Sequence, residues 1–531
     1  MEDSRKESRK DWIGPVALSG MIVYAVVRSI FAASAKPFWF DEICTWIIVH
    51  QPKSHSMLSC LRTGMDGQPP LFYVIEKAFL QLPLVPEVSL RICSISAFCF
   101  ALVFLFKFMR RRSSEDISLV CLLSLFLTAV IWVYAVEARP YALTVAATAA
   151  AMVCYQRAES PRWIVLLAAC LVLGECFHYY MIFVVACFGI AELVLVVRSR
   201  SIRSIRFGVW GAFAASAIPL VVAWPLISAV KKLYGAHFWS LPSIRNLFMT
   251  YGIALDTTKY GAVLGAMIVI PAFVVLLWRE TWQDSPDSQD SRDPAGSPSA
   301  KSTPIYCERV LVFALAVLPA IECAATKVLG GGYTWRYALP LTLAIPVTMS
   351  FYLERFHDRN LQRIAVTVVG GLLIVLVGLR EGYFWTHKVI HRPLAQFSAS
   401  RLEDFLDRYA KHPAPVVIAS GLEYLQVFHY ATDSWRDRTL YLIDRDMALH
   451  FTESDSLETD LLAIRNCAAV NVPDLGSFVE QHPSFYVYEE RPGDGYRWWP
   501  QALADRGYEV KRVADNKSRI LYLVNSKDVA R

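Results

Sequence analysis

Lys36-Pro37-Phe38-Trp39-Phe40-Asp41-Glu42 follows directly on an apolar run from about Trp12 to Ala35. A membrane-spanning helix needs about 20 predominantly apolar residues, so this run is long enough to cross a bilayer. Asp41 and Glu42 then emerge side by side at a membrane surface. A carboxylate at that level is costly and marks a functional site by default. Such a pair suits a base that deprotonates an acceptor, a metal ligand, or both. It also suits a plain cap on the helix that starts at Ile43, because acids stabilise helix N-termini.

The whole chain has the same character. Of 531 residues 55% are hydrophobic, and the mean hydropathy is +0.36. That is too apolar for an ordinary soluble enzyme, and the apolar residues gather into repeated runs of about twenty. A net charge of +6 is modest for this length and gives no sign of a nucleic-acid partner. Most of the 12 cysteines lie inside apolar runs, where a thiol behaves as a small hydrophobe. Cys44 and Cys60 share the first large loop and are placed to form a disulfide if that loop is extracytoplasmic. No CxxC spacing of the zinc type occurs. The basic start (Arg5, Lys6, Arg9, Lys10) and Ala33-Ser34-Ala35 resemble a cleavable signal, but the apolar core is too long, so an uncleaved first span is expected.

The runs predict about eleven spans, at about 12–35, 88–108, 117–135, 140–155, 163–179, 181–197, 207–229, 260–279, 306–326, 337–353 and 362–380. Lys107 with Arg110–Arg112, then Arg157 and Arg162, then Arg198, Arg200, Arg203 and Arg206, and later Arg355, Arg359 and Arg363, all fall on the side of the N-terminus. The positive-inside rule makes that side cytoplasmic, so Asp41, Glu42 and the C-terminus face outward. The expected fold is a mainly α, polytopic helical membrane bundle with a C-terminal extracytoplasmic α/β domain. Residues 1–394 form the membrane domain, with a first extracytoplasmic loop at 36–87 and a disordered cytoplasmic linker at 281–304, rich in Asp, Ser and Pro. Residues 395–531 alternate amphipathic stretches such as Leu402–Tyr409 with β-branched and aromatic runs at 415–419, 440–443, 485–488 and 520–524. A largely parallel sheet follows from that alternation.

Unusual polar groups cluster at the outer helix ends. Asp66-Gly67-Gln68-Pro69-Pro70-Leu71-Phe72-Tyr73 turns at Gly67 and starts a helix after two prolines. Glu137-Ala138-Arg139-Pro140-Tyr141 occupies a short hairpin between spans, where the planar guanidinium of Arg139 suits a phosphate or pairs with Glu137. His178 and Tyr179 end another span as ligand contacts or interfacial anchors. Gly330-Gly331-Gly332 precedes Tyr333-Thr334-Trp335-Arg336-Tyr337, and Arg336 there holds a phosphate or snorkels to the interface. Acids, arginines and a histidine at one level suit a phosphate ester embedded in lipid, with its acceptor on the outer side.

The acid pair Asp41-Glu42 after the first span, Gln68-Pro69-Pro70-Leu71-Phe72-Tyr73, Glu137-Ala138-Arg139-Pro140-Tyr141, and Arg336-Tyr337 with Pro340 together resemble the GT-C glycosyltransferases. The resemblance is to the bacterial branch related to protein O-mannosyltransferases and the lipid A aminoarabinose transferase, and it covers about residues 12–380. It implies transfer of a sugar from a polyprenyl-phosphate carrier to a lipid, glycan or protein acceptor, with inversion, outside a bacterial cytoplasmic (inner) membrane. Asp41 would then activate the acceptor hydroxyl with Glu42 in support, and Arg139 and Arg336 would neutralise the leaving phosphate. Gln68, Tyr73, Glu137, Tyr141, His178, Tyr179 and Tyr337 would contact substrate. No cofactor is implied with certainty, and a divalent metal stays open; relatives often carry histidine where Gln68 stands. Two rival classes are a transporter or flippase of polyprenyl-linked sugars, and a ligase or polymerase of whole glycans. Transporters commonly place charges near the bilayer midplane and repeat their halves, and neither sign is found here.

Overall fold

The computed structural model describes residues 13–235, 237–254, 303–386, 399–491, 498–516 and 518–526. The span expected at 260–279 lies outside these residues, as does the expected linker except for Thr303 and Pro304. The chain forms two compact units: Met1–Ala35, Gln68–Ala223 and Ser240–Leu394 make the first, and Lys36–Gly67, Trp224–Trp239 and Ala395–Arg531 the second.

The first unit is helical, as its apolar runs require. Five helices among the described residues are long and apolar enough to span a bilayer: Gly14–Ala35, Pro86–Arg110, Met181–Ser199, Phe207–Tyr234 and Arg359–Thr386. Two further runs are bent pairs, Glu115–Phe126 with Ala129–Ala135 at 77°, and Ile305–Ala316 with Leu318–Leu329 at 59°. Pro319 opens the second half of the latter pair, where its ring cannot continue a helix. At the former bend Trp132 Nε1 donates to Phe126 O at 2.9 Å, and Arg380 donates to the Leu127 carbonyl. Such contacts satisfy backbone groups that a break in apolar surroundings sets free. The alanine-rich helix Tyr141–Tyr155 is buried along almost its whole length and packs on Pro86–Arg110 and Pro161–Phe177. Its small side chains let neighbouring backbones approach closely.

Several charges inside this unit are paired. Arg28 Nε meets Glu381 at 2.5 Å with Tyr24 donating to the same carboxylate at 2.6 Å. Arg206 Nε donates to buried Glu192 at 3.1 Å, which also accepts from Tyr155 at 2.6 Å. A buried carboxylate is tolerated when paired and hydrogen-bonded in this way.

The second unit carries a five-stranded sheet in the order β2-β1-β3-β5-β4, with β1 Val416–Ile418, β2 Thr439–Leu440, β3 Ser484–Glu490, β4 Glu509–Asp515 and β5 Arg519–Asn525. The largely parallel sheet expected from sequence is in fact mixed: β1 runs parallel to β2 and β3, while β5 is antiparallel to both β3 and β4. The reason is local. Only a few residues separate β4 from β5, and Asn516 Oδ1 accepts the Arg519 N–H at 2.7 Å across the turn. A parallel pairing would need a crossover of a dozen or more residues. β4 (Glu-Val-Lys-Arg-Val-Ala-Asp) is mostly exposed at the sheet edge, so it lacks the apolar run by which strands are recognised.

Lys36–Gly67 belongs to this second unit. Its helix Phe40–Val49 packs on helix Gly421–Tyr430, and Cys60 is bonded to Cys467 with the Cα atoms 5.8 Å apart. The sequence expectation paired Cys60 with Cys44, but Cys44 is buried and not disulfide-bonded. Those two are near one another along the chain, whereas the folded unit places Cys60 beside the end of helix Ser456–Ile464, where Gln51 also donates to Cys467 O at 3.1 Å.

Candidate active site

The acid pair sits at the start of helix Phe40–Val49, with Trp39 as its extended N-cap residue. Phe38, fully buried, anchors the turn: its N–H donates to Tyr430 Oη at 2.7 Å, and Gln426 Nε2 donates to its carbonyl at 2.8 Å. Glu42 is fully buried; its Oε2 accepts the Trp39 N–H at 3.3 Å and lies 3.9 Å from Lys36 Nζ. This is the capping geometry, with a negative group over the unpaired amides of a helix start.

Asp41 is half-buried, and its charge acts on Asp460 in helix Ser456–Ile464, as do those of Asp66 and Glu458. Tyr234 Oη contacts Asp460 Oδ1 and lies 3.2 Å from the Gly64 carbonyl. Burial pushes the Asp460 carboxyl well above the usual carboxylate range, the Tyr234 hydrogen bond opposes this, and the charges of Asp41 and Asp66 add to the rise. Tyr234 Oη is the donor in its contact with Asp460.

The first unit assembles a second cluster. Ser94 Oγ lies 2.6 Å from Glu137 O and 3.0 Å from Arg139 O, which fixes the hairpin between Ala129–Ala135 and Tyr141–Tyr155. The guanidinium carbons of Arg139 and Arg336 lie 6.0 and 5.7 Å from the Tyr141 ring centre, and both charges act on His178. The His178 ring lies 5.5 Å from Tyr141 and 4.8 Å from Tyr337, and Tyr180 packs 4.3 Å from Tyr337. Tyr180 N–H donates to His178 Nδ1 at 3.1 Å, so a neutral ring carries its proton on Nε2. That Nε2 is buried without a hydrogen-bond partner among the described residues. Arg139, Arg336, Tyr141, His178 and Tyr337 are thus together, drawn from three segments distant in sequence. Tyr179 is next to His178 in the loop after Pro161–Phe177. Gln68 and Tyr73 are buried on another element, the start of helix Pro70–Phe79, which packs on Pro86–Arg110. Two guanidiniums with a buried imidazole N–H form a set of donors suited to an anion. Among the described residues no three His, Cys, Asp or Glu side chains are grouped so as to hold a metal ion.

No protein-family model matches the chain, and no curated protein matches it. Among solved structures, the chain is similar to ArnT from Cupriavidus metallidurans bound to undecaprenyl phosphate, at 12% identity and a TM-score of 0.52, over 95% of this chain and 97% of that one. It is also similar to the oligosaccharyltransferase of Archaeoglobus fulgidus in its apo form, at 9% identity and a TM-score of 0.45, over 98% of this chain and 75% of that one. The chain has the fold of that ArnT structure.

Several acids of this chain do not stand out from sequence. Asp460 gives no local signal, because it lies in an ordinary amphipathic helix of the C-terminal segment. Glu175 and Glu322 do give one that the sequence reading passed over: each interrupts an apolar helix, and an ionisable residue inside a span is a functional candidate by default. Both carboxylates are buried without hydrogen-bond partners among the described residues, and Glu322 lies close enough to act on Tyr180, Tyr251 and Tyr333.

Proposed function

We propose that this chain is an integral-membrane glycosyltransferase that moves a sugar from a polyprenyl-phosphate carrier to an acceptor outside the cytoplasmic membrane. The observation that carries the reading is the cluster of Arg139, Arg336 and His178 around Tyr141 and Tyr337. Supporting it is the fold shared with ArnT, which was solved with undecaprenyl phosphate bound.

In the proposed reaction Asp41 takes the proton of the acceptor hydroxyl. The oxygen attacks the anomeric carbon, the bond from that carbon to the phosphate oxygen breaks, and the polyprenyl phosphate leaves with the electron pair. A single displacement inverts the anomeric centre. Arg139 and Arg336 neutralise the leaving phosphate, and His178 Nε2 donates to one of its oxygens. Charge stabilisation placed where charge develops is commonly the largest part of such catalysis. Glu42 holds the turn that presents Asp41. Gln68, Tyr73, Glu137, Tyr179 and Tyr337 contact the sugar or carrier. The disulfide between Cys60 and Cys467 agrees with an oxidising outer compartment for the unit that carries it.

A panel of radiolabelled polyprenyl-phosphate sugars in proteoliposomes tests the reading. At least one donor should be consumed with free polyprenyl phosphate appearing. Passage of labelled carrier across the bilayer with its sugar bond intact, and no consumption of any donor, would make the protein a transporter instead.

A further inference from the structure

The basic block at the end of helix Pro86–Arg110 divides its labour. Arg112 meets buried Glu308 at 2.6 Å, with Gln156 Nε2 donating to the same carboxylate at 2.9 Å, so this arginine ties helices together. Arg110 pairs with Glu115 at 3.3 Å. Lys107 and Arg111 are exposed, and Arg111 lies within electrostatic reach of Glu308 and Glu159. Arg157 is half-buried over the Trp163 ring at 5.0 Å, and both it and Arg112 act on Arg111 as like charges.

A cavity of about 660 Å³ opens among these groups, lined by Lys107, Arg110, Arg111 and Arg157 and by apolar side chains that include Phe104 and Trp163. The reaction proposed above uses none of them. Gathering cations beside one another at a partly dehydrated wall is unfavourable unless an anion completes the site. The wall itself is mostly apolar and includes the helix Pro86–Arg110, which is of spanning length and hydropathy. The occupant must therefore carry negative charge at one end and hydrocarbon at the other.

We propose that this cavity binds the headgroup of an anionic phospholipid. The phosphate sits among Lys107, Arg111 and Arg157, and an acyl chain lies along Phe104 and Trp163. Basic pockets between spanning helices recognise lipid headgroups by this combination of charge and apolar contact. A zwitterionic lipid presents its own cation to the same arginines and binds less well.

The test uses full-length protein stripped of lipid in detergent and titrated with mixed micelles of phosphatidylglycerol, of phosphatidylcholine, or with inorganic phosphate alone. Binding is read by native mass spectrometry and by the shift in melting temperature. Phosphatidylglycerol should bind and raise the melting temperature, and phosphatidylcholine should do so much less. Each basic group near a headgroup is worth about fivefold in affinity, so Lys107→Gln with Arg111→Gln should weaken phosphatidylglycerol binding about 25-fold. Arg203→Gln, on the same side but outside the cavity, should leave it unchanged. Both substituted positions are exposed, and an unaltered melting temperature in phosphatidylcholine checks the fold. Should the double variant misfold, each single variant carries the test with a loss of about fivefold. Undiminished phosphatidylglycerol preference in a folded variant would overturn the proposal, and so would a full shift with inorganic phosphate alone.

Discussion

Asp41 and Glu42 are neighbours in sequence, yet they enter different networks. Glu42 accepts the Trp39 amide and lies near Lys36, whereas Asp41 belongs with Asp66 and Asp460. Asp41→Asn keeps size and shape but cannot take a proton, so sugar transfer should fall by about 10²–10⁴-fold while the protein still folds and binds donor. Glu42→Gln should instead show up mainly as lost stability, of about 0.5–2 kcal/mol as for other N-terminal caps. A rate assay beside thermal unfolding separates the two, and the opposite ranking would exchange their roles. For Arg139 and Arg336, truncation to Ala should weaken donor binding by about 2–5 kcal/mol if a buried phosphate loses its partner. Lys should restore only part of this, since a point charge lacks the forked geometry. Equilibrium binding of a polyprenyl-phosphate sugar measures it, and unchanged affinity in both Ala variants would remove the phosphate role. At this scale the sequence is legible where a charge breaks an apolar pattern, as at Asp41, Arg139 and Arg336. Asp460 is not legible, because its significance comes from Tyr234 and Asp41, which only folding brings to it.

Among the elements, helix Ser456–Ile464 holds two acids with raised proton affinity. Burial pushes Glu458, which accepts from Tyr441 Oη at 2.7 Å, up to about 7 from an ordinary 4.5. The folded state thus binds this proton more tightly than the unfolded chain does. Its contribution to stability is fully present below about pH 4.5 and is lost as pH rises through about 7. The loss is on the order of 3 kcal/mol, because each tenfold gain in proton affinity is worth about 1.36 kcal/mol. Unfolding of the wild type should therefore become easier between about pH 5 and 8, more steeply than for Glu458→Gln; equal slopes would place the proton elsewhere. The disulfide makes a second prediction. Cys60 and Cys467 are 407 residues apart, and replacing both with Ser should cost about 2–5 kcal/mol, seen as a lower melting temperature that reductant no longer changes. Helices were legible from their apolar runs, but the bends of 77° and 59° were less so. Pro319 marks one, whereas the other depends on Trp132 and Arg380 reaching freed carbonyls. The edge strand Glu509–Asp515 escaped for the opposite reason, being too polar to stand out.

At the scale of the molecule, hydropathy told that the chain is a helical membrane protein, and the ordered motifs told which family it resembles. It did not tell that Lys36–Gly67 joins the C-terminal segment in one compact unit, since that grouping depends on Phe38, Cys60 and Cys467 meeting partners far along the chain. Consequently the C-terminal segment, through Gln426 and Tyr430, supports the turn that carries Asp41. Deleting it should abolish transfer even with every spanning helix retained, as checked by rate and by membrane insertion. In the proposed reaction Asp41 drives displacement of a polyprenyl phosphate. Its most direct measure is the number of carrier phosphates released for each sugar transferred in proteoliposomes, followed together for wild type and Asp41→Asn. One carrier should be released for each sugar in the wild type, with both falling together in the variant; transfer and release at the wild-type rate in Asp41→Asn would contradict it.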